Sequence, residues 1–78
     1  MSGINFVFAC ELEAGDVILS GQDFKVQQVM ASTPDPIRLS RDVTVDNVVE
    51  VDADTVRVNL TKFSSHLLID RARVVRCA

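Results

Sequence analysis

The segment V-E-V-D-A-D-T-V-R-V-N-L, Val49 to Leu60, decides the fold. Val49 and Val51 lead in with a period of two, Asp52-Ala53-Asp54-Thr55 carry turn chemistry, and Val56, Val58 and Leu60 lead out with the same period. This is the pattern of a β-hairpin with one buried face. A turn spanning Asp52 to Thr55 sets Val51 opposite Val56 and Val49 opposite Val58 on the apolar side, and leaves Glu50 facing Arg57 as an opposite-charge pair on the other.

The residues around this hairpin extend the β pattern. Ile4 to Cys10 reads as a first strand, and Glu11 to Asp16 as a turn in which Gly15 can take the positive φ that other residues avoid. Val17 to Leu19 is a second strand. After the Ser20-Gly21-Gln22-Asp23 turn, Phe24 to Met30 is a third, expected to pair with the second and to bulge near Gln27-Gln28 so that Phe24, Val26 and Val29 all point inward. Residues 32–42 break the pattern, because Pro34 and Pro36 remove backbone donors, and they read as the longest loop. Val43 to Val51, Val56 to Leu60, and Leu67 to Ile69 or Ala72 to Cys77 supply the remaining strands. No stretch has sustained helical spacing, so at most one short helical turn is expected, near Lys62–His66. The expectation is a single all-β domain over 1–78, a small antiparallel barrel of five to seven short strands.

Composition agrees with that reading. Of the 78 residues 47% are apolar, with Val, Ile and Leu far outnumbering the four Phe and with no Trp or Tyr, so the core is β-branched and the Phe are all assigned to it. The formal net charge of −3 conceals a polarity: ten acidic and three basic residues lie in 1–54, against one acidic and five basic in 55–78. Such asymmetry marks polyanion binding, self-association, or acidic and basic strands neutralising one another. Cys10 and Cys77 belong to no metal-ligand or redox spacing and read as reduced thiols of a cytosolic protein, although neighbouring first and last strands would make a disulfide conceivable. The apolar run Ile4 to Cys10 is too short for a signal peptide or a membrane span, so the expected location is the cytoplasm.

Several constellations invite a chemical reading. Asp46, Glu50, Asp52 and Asp54 lack the glycine and ligand spacing of a calcium loop and read as an acidic strand face running into a turn. Ser64, Ser65, His66 and Asp70 contain the groups of a catalytic triad, but neighbours on a strand point to opposite faces and do not converge. Cys10 with His66 as its base has no supporting motif. The C-terminal arginines carry more weight: on a strand, Arg71, Arg73, Val75 and Cys77 share one face and Ala72, Val74 and Arg76 the other, so Arg71 and Arg73 stand side by side, and Arg57, Lys62, Arg71, Arg73 and Arg76 form the alternative reading, a nucleic-acid surface. An aromatic platform for bases is missing.

The stretch F-A-C-E-L-E-A-G-D-V-I-L-S-G-Q-D-F-K-V-Q-Q-V from Phe8 to Val29, with the L-x-x-G-D turn of Leu12, Gly15 and Asp16 and the closing R-V-V-R at 73–76, resembles small SH3-like barrel proteins of the kind encoded by bacteriophages of actinobacteria. The resemblance covers about 60 residues and speaks to fold more than to activity. It implies binding through loops, so the Pro-rich loop is the natural contact site, with Ile37, Arg38, Leu39 and Arg41 as its residues. The resulting expectation is a non-enzymatic protein-interaction module without cofactor or metal. Its partner would be a host or phage protein. The alternatives are the nucleic-acid surface and a self-assembling subunit, that is, a homo-oligomer joined by strand edges or charged poles.

Overall fold

The computed structural model describes residues 3–27 and 33–78. Strands β1 (Asn5–Phe8), β2 (Val17–Ile18), β3 (Asp23–Gln27), β4 (Asp35–Arg38), β5 (Val43–Glu50), β6 (Thr55–Leu60), β7 (His66–Asp70) and β8 (Val74–Cys77) form one antiparallel sheet in the order β1-β8-β2-β5-β6-β7-β3-β4. The sheet is curled into a half-barrel. The fold is therefore all-β, and the only helical element among the described residues is a 3-10 turn at Ala9–Glu11.

The hairpin is β5–β6, but its register differs by one residue from the expected one: Val48 faces Val58, Val49 faces Arg57, and Glu50 faces Val56. The turn explains the shift. Asp52 Oδ1 accepts the backbone N–H groups of Asp54 at 2.8 Å and Thr55 at 2.9 Å, and Val51 N–H donates to Thr55 O at 3.0 Å. This side-chain mimic of a backbone turn closes the loop over Asp52 to Asp54 and returns Thr55 to the strand. A slip of one residue exchanges the two faces of a strand. Val49 and Val51 are accordingly 40% and 53% exposed, whereas Val48 packs against the core. Glu50 pairs with Arg71 at 3.5 Å instead of Arg57.

A β-bulge reconciles Val48 with the earlier part of β5. Val45 faces Leu60 and Asn47 faces Asn59, so Asp46 is an extra residue. Val43 and Val45, odd in the chain, can then lie on the same side as Val48, and the side chains of Asn47 and Asn59 hydrogen-bond across the irregularity.

Three further expectations are corrected. The segment 32–42 is not loop throughout, since Asp35–Arg38 pairs with β3, setting Ile37 opposite Phe24 and Pro36 opposite Lys25. β4 is the last strand of the sheet. Leu39 N–H turns toward Gln22 O at 2.9 Å, so by alternation the nitrogen of Pro36 faces the open side and no ladder bond is lost. β3 pairs with β4 and β7, not with β2, because the chain turns away at Gly21, whose φ of 85° is open to glycine. The short helical turn lies at Ala9–Glu11, where Phe8 N–H donates to Glu11 Oε1 at 3.1 Å and ends β1 early. At the position expected for it, Lys62 takes a φ of 67° and His66 already belongs to β7. Gly15 has the positive φ expected of it, 95°. Gln28, Val29 and Met30, on which the third strand's bulge depended, lie outside the described residues.

One hydrophobic cluster fills the concave side of the sheet, with Ile18, Val45, Val56, Val58, Leu67, Ile69 and Val75 fully buried. First and last strands are neighbours: Asn5 faces Cys77. Cys10 lies at the opposite end of that pair, its N–H donating to Arg71 O at 3.3 Å. Both thiols are free, Cys10 exposed and Cys77 buried.

The observed register is open to a direct test. Val49 and Val58 belong to the same hairpin, but only Val58 is enclosed. Val58→Asp should cost several kcal/mol and unfold most of the protein, whereas Val49→Asp should cost less than about 1 kcal/mol. Chemical denaturation of the two variants would show equal losses if Val49 were a core residue.

A candidate docking groove between the β4 segment and the β6–β7 turn

The four residues singled out on the Pro-rich segment do not play equal parts. Ile37 and Leu39 share a strand face. Ile37 is 37% exposed, whereas Leu39 is buried in the core and held by backbone bonds to Gly21 and Gln22. Arg38, between them, points the other way and bridges Asp23 at 3.2 Å. Arg41 is exposed in the turn that leads to β5. The turn is tied to the rest of the sheet by Asp42 Oδ1, which accepts Ser20 N–H at 2.8 Å.

These residues line one groove. Its apolar floor is made by Leu39, Val43, Leu60 and Leu67, and its wall by Ile37 on one side and Phe63 on the other, with Arg38 and Arg41 along the rim. Phe63 is 48% exposed and was not expected here, because all four Phe were assigned to the core. Only Phe24 is buried, while Phe6 and Phe8 are also open to solvent. The sign was available in T-K-F-S-S, where an aromatic stands alone in a polar turn.

A wider depression runs along β3, with Phe24, Pro34 and Pro36 among its lining. Its aromatic floor is already covered from within, since the Arg73 guanidinium carbon lies 4.4 Å from the centroid of the Phe24 ring. The groove beside Phe63 has no such internal lid among the described contacts.

The five residues of the nucleic-acid alternative occupy separate settings. Arg71 pairs with Glu50, Arg73 stacks on Phe24, and both lie in the segment between β7 and β8, with only Val75 and Cys77 of the expected common face on β8 itself. Lys62 is at the far end of β7, in the β6–β7 turn. Arg57 is half-buried, with its Nε enclosed and unpartnered. Arg76 is held through its backbone by Gln22, a buried side chain that sequence reasoning missed. Gln22 Oε1 accepts Arg76 N–H at 2.9 Å, and its Nε2 donates to Leu19 O at 2.8 Å and Arg76 O at 3.0 Å.

His66 and Asp70 stand at opposite ends of β7, and the Asp70 carboxylate accepts the N–H of Ala72 at 2.9 Å. Desolvation, reinforced by the nearby Arg57 charge, holds the His66 imidazole below its usual pKa of 6.5. Burial, with the Asp16 charge adding to it, pushes the Cys77 thiol up from 9.0. Asp46, Glu50, Asp52 and Asp54 are exposed, and among the described residues no three His, Cys, Asp or Glu are placed to share a metal ion. No described helix is long and apolar enough to cross a membrane. Comparison with protein-family models, with curated proteins and with solved structures gives no match.

Two measurements check this geometry. Leu39→Ala should cost about 2–5 kcal/mol as a core truncation, and Ile37→Ala less than about 1 kcal/mol; equal values would mean that the two side chains are not divided between core and surface. The His66 resonances should titrate below pH 6.5, and Arg57→Gln should move the midpoint upward. Because the folded pKa is the lower one, the unfolded state binds this proton more readily. The contribution of His66 to stability is then complete above 6.5 and declines as the pH falls through the folded value.

Proposed function

We propose that this chain is a non-enzymatic protein-interaction module of the small-barrel, SH3-like kind, and that its contact site is the groove between Ile37 and Phe63. The observation that carries the reading is the pairing of an exposed aliphatic and an exposed aromatic over an apolar floor, with Arg41 on the rim. Apolar walls take up an aliphatic or aromatic anchor of the partner, and Arg41 favours an acidic residue beside that anchor. The resemblance to phage-encoded barrels supports an accessory role in the host cytoplasm, in contact with a host or phage protein. No observation favours the nucleic-acid reading, because the residues that would serve it are dispersed or engaged within the molecule.

Selection from a random peptide library, followed by mapping of the selected peptides by NMR shift perturbation, tests the proposal. Ligands with an apolar anchor next to Asp or Glu should emerge and perturb Ile37, Arg41 and Phe63. Phe63→Ala should weaken them by about tenfold or more, which is 1.4 kcal/mol. Ligands that map elsewhere would refute the site. In parallel, fluorescence anisotropy with DNA and RNA should show no binding at moderate salt. Salt-sensitive binding lost in the Arg71→Ala, Arg73→Ala double variant would replace the proposal with the nucleic-acid alternative.

A further inference from the structure

Strand β1 ends the sheet opposite β4, with β8 on one side and no described strand on the other. Ala9 N–H donates to Arg73 O at 2.9 Å, and backbone groups alternate direction along a strand. Asn5 and Val7 therefore turn their polar groups toward β8, and Ile4, Phe6 and Phe8 turn theirs toward the open edge. The same three residues are 54%, 66% and 46% exposed, and Val74, which faces Phe8 across the ladder, is 50% exposed. This patch is on the order of 400 Å², as large as the apolar patches that monomeric proteins leave open.

Sheet edges are normally guarded by charge or proline against pairing with other chains. The β4 edge is guarded, by Asp35, Pro36 and Arg38. Ile4 to Cys10 contains neither a charge nor a proline. Among the described residues, one edge of this sheet is thus closed to strand addition and the other is left open.

We propose that β1 pairs antiparallel with β1 of a second copy of this chain, about a two-fold axis at Phe6. Only the even-numbered residues offer hydrogen-bonding groups at this edge, so any two-fold register must set even against even. Centring on Phe6 places Phe6 against Phe6 and Ile4 against Phe8 of the second copy. The Phe6 N–H and C=O groups exchange with their equivalents, and Ile4 N–H reaches Phe8 O. Phe8 N–H meanwhile stays on Glu11 Oε1, where it lies at 3.1 Å. A second copy fits because the strand is complementary to itself here: aromatic meets aromatic, apolar meets apolar, and no like charges meet. The surface is distinct from the Ile37–Phe63 groove, and the inference does not depend on that site.

Sedimentation equilibrium of the full chain over a concentration series should show a monomer–dimer equilibrium. Phe6→Lys, which brings two ammonium groups face to face on the axis, should weaken it by about tenfold or more, whereas Ile37→Lys on β4 should leave it unchanged. A second pair of variants reads the register. On a Cys10→Ser background, Phe6→Cys should oxidise to a covalent dimer, because facing residues of such a pair stand about 5.5 Å apart between Cα atoms. Ile4→Cys should not, since its equivalents lie about 13 Å apart along the seam. A chain that stays monomeric at millimolar concentration, a dimer indifferent to Phe6→Lys, or faster cross-linking through Ile4→Cys would overturn the proposal.

Discussion

The Asp52 carboxylate is the constraint on which most of this molecule depends. By accepting two backbone N–H groups in the hairpin turn it sets the loop length, and the loop length sets which valines face inward. β6 then carries this register to β7, where Val56 faces Ile69 and Val58 faces Leu67, and these four side chains form the centre of the core. The same step moves Glu50 away from Arg57 and toward Arg71. Arg57 is left half-buried beside β7, and its charge contributes to the depressed pKa of His66.

A second constraint acts where the sheet is thinnest. β2 contains two residues, yet it stands between β8 and β5 and must hold the outer part of the sheet to its centre. Gln22 supports this junction from outside the ladder, tying the turn after β2 to the backbone of β8 through both ends of its amide. Buried polar groups are tolerated when their hydrogen bonds are made; of the three here, two hold together segments that are 54 residues apart in the chain, and the third closes the turn onto Leu19 O. The turn so fixed also presents the backbone of Gly21 and Gln22 to Leu39, and hence places the floor of the groove.

The sequence was most legible where one element could be read by itself. Alternation in Val56, Val58 and Leu60 identified buried β6, and the Gly15 turn was recognisable from its residue type. The hairpin register was not legible, because Thr55 suits a turn and a strand equally and only the hydrogen bonds of Asp52 decide between them. β4 was hidden by its prolines, which exclude a central strand but not an edge strand, and edge position is a property of the whole sheet. For the groove, the Pro-rich segment pointed to one wall. The other wall, Phe63, is distant in sequence and was obscured by the assumption that aromatics fill the core. The exposed phenylalanines of β1 were missed for the same reason.

The pairing of β1 with β8 also bears on how the fold is reached. Residues 5 and 77 face each other, so the last ladder to form closes a loop of nearly the whole described chain, while the β5–β6 and β6–β7 hairpins close over a few residues each. Loop-closure entropy and the dependence of rate on contact order place the hairpins early and the β1–β8 ladder late. On a ribosome, which delivers residues in order, Ile18 reaches full burial only after Val75 and Cys77 have left the exit tunnel. During synthesis the central hairpins can assemble, but the molecule is sealed by the final residues of its last strand.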